Sequence, residues 1–296
     1  MVSKVNIRKG NIPTFCFLTA FLLSLLPGGQ AQAADDRLQD MVYEVYAGGI
    51  HAVQATLHMD LAQKDRYALM LTAKTRGFLG SLVPWHGSFE SNGWNDGKGH
   101  FHPELHKSVA TWRDETDIKE YFYTRAGGFQ ELWKTDPGEE RKKEDTSPEV
   151  TDGTTDALTA ALLVFDHVAR GNPCEGESEV FDGKRRFRQT FKSEGEEELQ
   201  PSEYNIFKGK AEKCTVEVTP VAGEWGKKPR GWLSIQEQGR ERGTMPTVWL
   251  ARLSQHSPAV PVKIMVKTAY GTLFMHLAEY RNADKIVVAE KRAEEE

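Results

Sequence analysis

The feature that most limits how this chain can fold is one amphipathic helix set in the middle of an otherwise strand-like sequence. Residues 155–170 are rich in strong helix formers, with Thr154 and Thr155 placed to cap them and Gly171 and Pro173 placed to stop them. Leu158, Ala161, Leu162, Phe165 and Val168 fall at the three- and four-residue spacing of one helical face, while Asp166, His167 and Arg170 can turn to water. The apolar run is too short to cross a membrane, so the spacing predicts a core helix around which the strands must be arranged.

On the N-terminal side, alternating or β-rich segments occur at 41–46, 50–61, 66–76, 85–91, 105–113, 116–123 and 129–133. Gly48-Gly49 and Asn92-Gly93 supply turn signals, and residues 77–85 form an apolar turn or short helix. Beyond the helix, strands are expected at 179–191, 202–207, 211–219, 231–237, 247–253, 260–268, 272–280 and 285–288, the hairpin at Tyr270-Gly271 pairing Val260, Val262, Ile264 and Val266 with Leu273, Met275 and Leu277. Residues 134–153 are charged, contain Pro137 and Pro148, and read as an exposed, mobile connection; residues 290–296 read as a solvated tail. With no alternation of strand and helix, the expected fold is mainly β. A strongly curved antiparallel sheet, an open barrel or β-spiral, would wrap around one central α-helix in a single domain over 34–296.

Residues 1–33 have the parts of an export signal. Lys4, Arg8 and Lys9 precede an apolar core at 12–26, and Ala31-Gln32-Ala33 follows as a small-residue cleavage site, so removal near Ala33 is expected. Cys16 lies in that apolar core without a lipobox and would leave with the signal. Losing three basic residues would make the formal charge of −5 three units more negative, which argues against nucleic acid or anionic lipid headgroups as the main partner. No later segment is long and apolar enough to be a transmembrane helix.

Export also sets the redox state of the two remaining cysteines. Cys174 and Cys214 are expected to form a structural disulfide, since a redox-active pair usually has close spacing such as Cys-x-x-Cys. In the chain-entropy model, a loop of about forty residues closed in this way contributes roughly 4 kcal/mol.

Several motifs in order carry a likeness: 43–50, Lys74-Thr75-Arg76-Gly77 with Trp85, Glu90-Ser91-Asn92-Gly93, Asp156 opening the helix, Cys174, then 181–187 (Phe-Asp-Gly-Lys-Arg-Arg-Phe), Cys214 and 220–223 (Pro-Val-Ala-Gly). Together they resemble the DUF3108 family of exported bacterial proteins, whose name assigns no activity. The architecture is also similar to the β-spiral envelope-integrity proteins of alphaproteobacteria and, more remotely, to the half-barrel carriers of periplasmic lipoproteins. What the resemblance implies is a Gram-negative periplasmic location and a role in the cell envelope.

Three groups of residues suggest chemistry. In a straight strand His100, His102, Glu104 and His106 would face one side, and imidazole with carboxylate suits zinc. Spread over roughly 20 Å, however, at most two neighbours could share an ion, and the run reads first as the wet face of a strand. Lys184, Arg185 and Arg186 offer an anion contact, but the run reads first as a turn or bulge in which Asp182 pairs locally with an arginine, and alternation sends Arg185 to the opposite side from the other two. Trp85, Trp94, Trp112, Trp133, Trp225, Trp232 and Trp249 can fill a core or line an apolar groove. No nucleophile, P-loop or dinucleotide motif is present.

No catalytic residue and no cofactor are expected. The function expected is a non-enzymatic binding or scaffold module holding a lipid, acyl chain or extended peptide in an apolar cleft. A purely structural envelope protein working through protein contacts is the alternative, followed by a zinc-dependent or other hydrolase.

Overall fold

The computed structural model describes residues 37–226, 232–255, 257–268 and 271–295. The expected export signal, its cleavage at Ala33, Cys16 and Tyr270 lie outside the described residues. Residues 34–296 cluster as one compact unit.

Before the central helix the chain forms strands β1 (Leu38–Ala47), β2 (Ile50–Asp60) and β3 (Arg66–Thr75), a short helix α1 (Gly77–Leu82), then β4 (Trp85–Asn95), β5 (Phe101–Trp112), β6 (Glu115–Tyr123), β7 (Phe129–Thr135) and β8 (Lys142–Glu144). Two helices follow, α2 (Pro148–Thr151) and α3 (Ala157–Ala169). The second half comprises β9 (Gly176–Phe181), β10 (Arg185–Leu199), β11 (Gly209–Gly223), helix α4 (Trp232–Glu241), β12 (Thr247–Arg252), β13 (Ala259–Thr268), β14 (Gly271–Arg281), β15 (Ile286–Val288) and helix α5 (Glu290–Glu295).

These strands make one antiparallel sheet of 15, in the order β8-β7-β6-β5-β4-β3-β2-β1-β14-β13-β12-β11-β10-β9, with β15 beside β14. Each half is a meander of sequence neighbours, and β1 with β14 is the joint between them. The sheet is not closed: β8 and β9 end the series, and α2 and α3 carry the chain from one end to the other. Side chains nonetheless meet across the opening, because Phe181 of β9 packs edge-on against Tyr121 of β6 and Phe129 of β7, with ring centroids 5.9 and 5.4 Å away. Leu132 and Tyr123 complete that small cluster.

Helix α3 contributes to two core clusters. Leu162 belongs to the main core with Met41, Met59, Tyr67, Val262 and Leu277, whereas Val164 and Phe165 belong to a second cluster with Phe191, Val248 and the Cys174–Cys214 disulfide. Helix α3 packs on β4 and β5 from one half of the sheet and on β9, β12 and β13 from the other. Within the helix only Ala157 and His167 are exposed, so it is buried on more than the one face its spacing suggested. Its cap is Asp156, not Thr154 or Thr155, because the Asp156 carboxylate accepts the free amides of Leu158 and Thr159. Thr155 is drawn into a parallel bridge with Val180.

Other expectations are corrected. The segment 231–237 was expected as a strand, but Trp232–Glu241 is helical, so α3 has company. Short apolar runs do not distinguish the two periods, and here the amide of Gln236 bonds both the N–H and the C=O of Val218, at 2.7 and 3.1 Å, fastening the helix to β11. Segment 202–207 is not a strand: Ser202 and Asn205 bond each other's backbone, and Asn205 Nδ2 reaches the Val262 carbonyl. The expected strand 179–191 is two strands, broken where Asp182 Oδ1 accepts the amides of Lys184 and Arg185. The charged connection 134–153 holds the end of β7, all of β8 and α2, with Thr151 buried. The expected solvated tail is largely α5, where Arg292 bonds both Glu44 and Glu279.

Candidate functional site

Strand β10 alternates, and Arg185, Phe187, Gln189 and Phe191 face a single cleft. Opposite Phe191 and Gln189 in the ladder stand Val216 and Val218 of β11, which line the same cleft. Its other walls are Val248 of β12, Pro261 and Ile264 of β13, Ala161 and Phe165 of α3, Leu233 of α4, and Trp225. The volume of this open cleft is about 590 Å³, within the range of small-molecule sites.

The cleft exists because two neighbouring strands part. Strands β11 and β12 pair only over Glu212–Thr215. After that point the Val216 amide bonds the Pro246 carbonyl, and the Val218 backbone takes its partner from Gln236 instead of from a strand. Helix α4 therefore stands where a ladder would have closed the wall. The deep end is the disulfide-bearing cluster: Cys214 lies opposite Val248, and Phe165, Phe191 and Val248 are all buried.

The shallow end is polar. Asp182 Oδ2 accepts both Nε and Nη2 of Arg185, at 2.8 and 2.6 Å, while the guanidinium lies 4.8 Å from the centre of the Trp225 ring. Trp225 is fixed in turn by its Nε1, which donates to the Ala222 carbonyl at 2.8 Å. Gly223 is required here: its φ is +90°, and a Cβ would lie 2.4 Å from the Lys184 carbonyl oxygen. In the middle, the Gln189 amide has no hydrogen-bond partner among the described residues.

The residues singled out from sequence are distributed as follows. Cys174 and Cys214 are joined, with Cα atoms 5.9 Å apart. Of the three cations, only Arg185 lines the cleft. Lys184 is exposed, and Arg186 is spent on Glu179 and on the Glu149 carbonyl, both at 3.1 Å.

The histidine run is split by a bulge in the β4–β5 pairing between Asn92 and Gly93. Phe101 and Pro103 are buried before the bulge and His106 after it, so His102 and His106 fall on opposite faces. His100 is exposed and bonds Asp96 at 2.6 Å, and Glu104 pairs with Arg66. Among the described residues no three His, Cys, Asp or Glu side chains are placed to share a metal ion.

Sequence reading missed a buried polar node beneath the helix start. Asp156, wholly buried, accepts from Ser91 Oγ at 3.0 Å and Thr159 Oγ1 at 2.6 Å, and Thr159 Oγ1 also meets the Tyr67 hydroxyl at 2.7 Å. His106 Nδ1 stands 3.4 Å from Asp156 and makes no hydrogen bond among the described residues. Burial, with the charge of Asp156 adding to it, pushes the Tyr123 hydroxyl well above the usual phenol range. Serine, histidine and aspartate thus sit close together, but Ser91 bonds the carboxylate rather than the imidazole and is only 1% exposed, so the group cannot act as a nucleophilic triad. Nothing in the spacing of Ser91, His106 and Asp156 announces their meeting.

Comparison with known proteins gives a family and a distant structure. The model of the family described as "Protein of unknown function (DUF3108)" matches residues 42–278. Nothing matches among curated proteins. A solved structure, described as a beta-barrel-like protein of domain of unknown function DUF1849 from Brucella abortus, superposes with a TM-score of 0.46 at 9% identity, covering 84% of this chain and 98% of its own.

Proposed function

The chain belongs to the DUF3108 family, whose description names no activity, and from the cleft itself we propose that it is a non-enzymatic binding module for a long apolar chain such as an acyl group. The observation that carries this reading is the lining. Its walls are valine, isoleucine, leucine, phenylalanine and proline side chains, with polar groups confined to one end and to Gln189. An extended peptide fits less well, because it would need unpaired backbone groups: β10 is laddered on both sides by β9 and β11, and beyond Thr215 the Val216 amide and the Val218 backbone are taken by Pro246 and Gln236. An acyl chain needs only apolar area, at roughly 25 cal/mol per Å² removed from water.

In this reading the sheet curls around α3 and leaves the cleft as the unfilled part of its interior. The export signal expected at 1–33 and the disulfide suit an oxidising compartment, so the module would work in the periplasm, as part of the cell envelope.

The test fills the cleft. Val218→Trp adds an indole opposite Gln189 and leaves the backbone bonds to Gln236 in place. Wild-type protein is expected to bind the neutral fluorescent probe N-phenyl-1-naphthylamine with saturation, and Val218→Trp to lose that binding at unchanged thermal stability. Absence of saturable binding to the wild type would favour the scaffold reading, in which protein contacts alone carry the function.

A further inference from the structure

Resting on the acyl-chain reading of the cleft, we propose that the ligand is an amphiphile with an anionic head, carboxylate or phosphate, and that Arg185 is the residue that selects it. The lining of β10 is graded from end to end. Phe191, buried beside the disulfide, marks one end, and Arg185 marks the other, roughly 20 Å away at strand spacing. A chain lying along this gradient with its tail at Phe191 brings its head to Arg185.

The guanidinium there is held in place but not used up. Nε and Nη2 are directed to Asp182 Oδ2, and the face rests on Trp225, which fixes the plane and leaves the Nη1 edge without a partner among the described residues. Asp182 is itself fully engaged, since its other oxygen accepts the amides of Lys184 and Arg185. A preset fork of this kind loses little freedom when it binds an oxyanion.

Asp182 balances Arg185 in charge, and Lys184 beside them is exposed with no carboxylate partner among the described residues.

The experiment compares ligands that differ only at the head. Dodecanoate, dodecyl phosphate and dodecanol are titrated by competition with N-phenyl-1-naphthylamine into wild-type, Arg185→Gln and Arg185→Lys proteins. The wild type is expected to bind at least one of the two anions about tenfold or more tighter than the alcohol, as a charge-assisted hydrogen bond allows. Which anion is preferred tells a fatty acid from a phosphate-headed lipid. Arg185→Gln should abolish the preference while leaving the dodecanol affinity within about twofold, which also shows that the cleft is still folded, and Arg185→Lys should restore only part of it. Equal affinities in the wild type, or a preference that survives Arg185→Gln, would overturn the role of Arg185 while the apolar cleft stands. If neither the anions nor the alcohol bind, the cleft reading and this inference fall together.

Discussion

Asp156 gathers four hydrogen bonds at the start of α3. Its carboxylate is wholly buried and accepts from the amides of Leu158 and Thr159 and the hydroxyls of Ser91 and Thr159. A buried charge held this way both caps α3 and fastens it to β4. Asp156→Ala should therefore cost about 3 kcal/mol, the loss of a cap plus buried hydroxyls left without an acceptor, and Asp156→Asn clearly less, since asparagine also caps. Urea unfolding of the two variants checks this; equal costs would mean that the charge and not the cap dominates. Sequence shows Asp156 at the opening of a helix, but not that Ser91, sixty-five residues earlier, would reach it. Arg185 was more legible: strand alternation alone sets it on the opposite side from Lys184 and Arg186, but does not show that it would face an apolar cleft. His106 parts from His102 through a bulge that no residue type in β5 announces.

At the scale of elements, hairpins and alternating strands were legible because each is local. Strands β1 to β3 and β12 to β15 stand close to where the hydrophobic alternation put them. The misreadings are segments whose state is decided by a distant partner: α4 by the Val218 backbone, and 202–207 by the Val262 carbonyl. The disulfide is the element-scale prop of the cleft, tying the loop after α3 to β11 two ladder positions from Val216 in the cleft wall. Cys174→Ser and Cys214→Ser should each cost about 4 kcal/mol, equal to one another and to the double variant, because either change opens the same loop. Denaturant midpoints measured under oxidising conditions check this; unequal single effects would mean that one cysteine contributes through packing as well.

Taken whole, the molecule is one meandering sheet that stops short of closing, with a helix carrying the chain between its two ends. The class was legible from a dozen strands and one strong helix. The cleft was not, because it arises where β11 and β12 part and α4 intervenes, a consequence of tertiary pairing. Filled solid, the volume among α3, α4 and β10 to β13 would be an ordinary core; left apolar and accessible from a polar end, it is a place for a ligand. Native mass spectrometry of protein exported to a bacterial periplasm and purified without detergent tests that claim most directly. The account predicts a fraction of molecules carrying one acyl-bearing lipid, with a mass deficit of two protons for the disulfide, and loss of the adduct in Val218→Trp. A ligand-free mass from a preparation whose cleft is intact by N-phenyl-1-naphthylamine binding, or an adduct that survives in Val218→Trp, would contradict it.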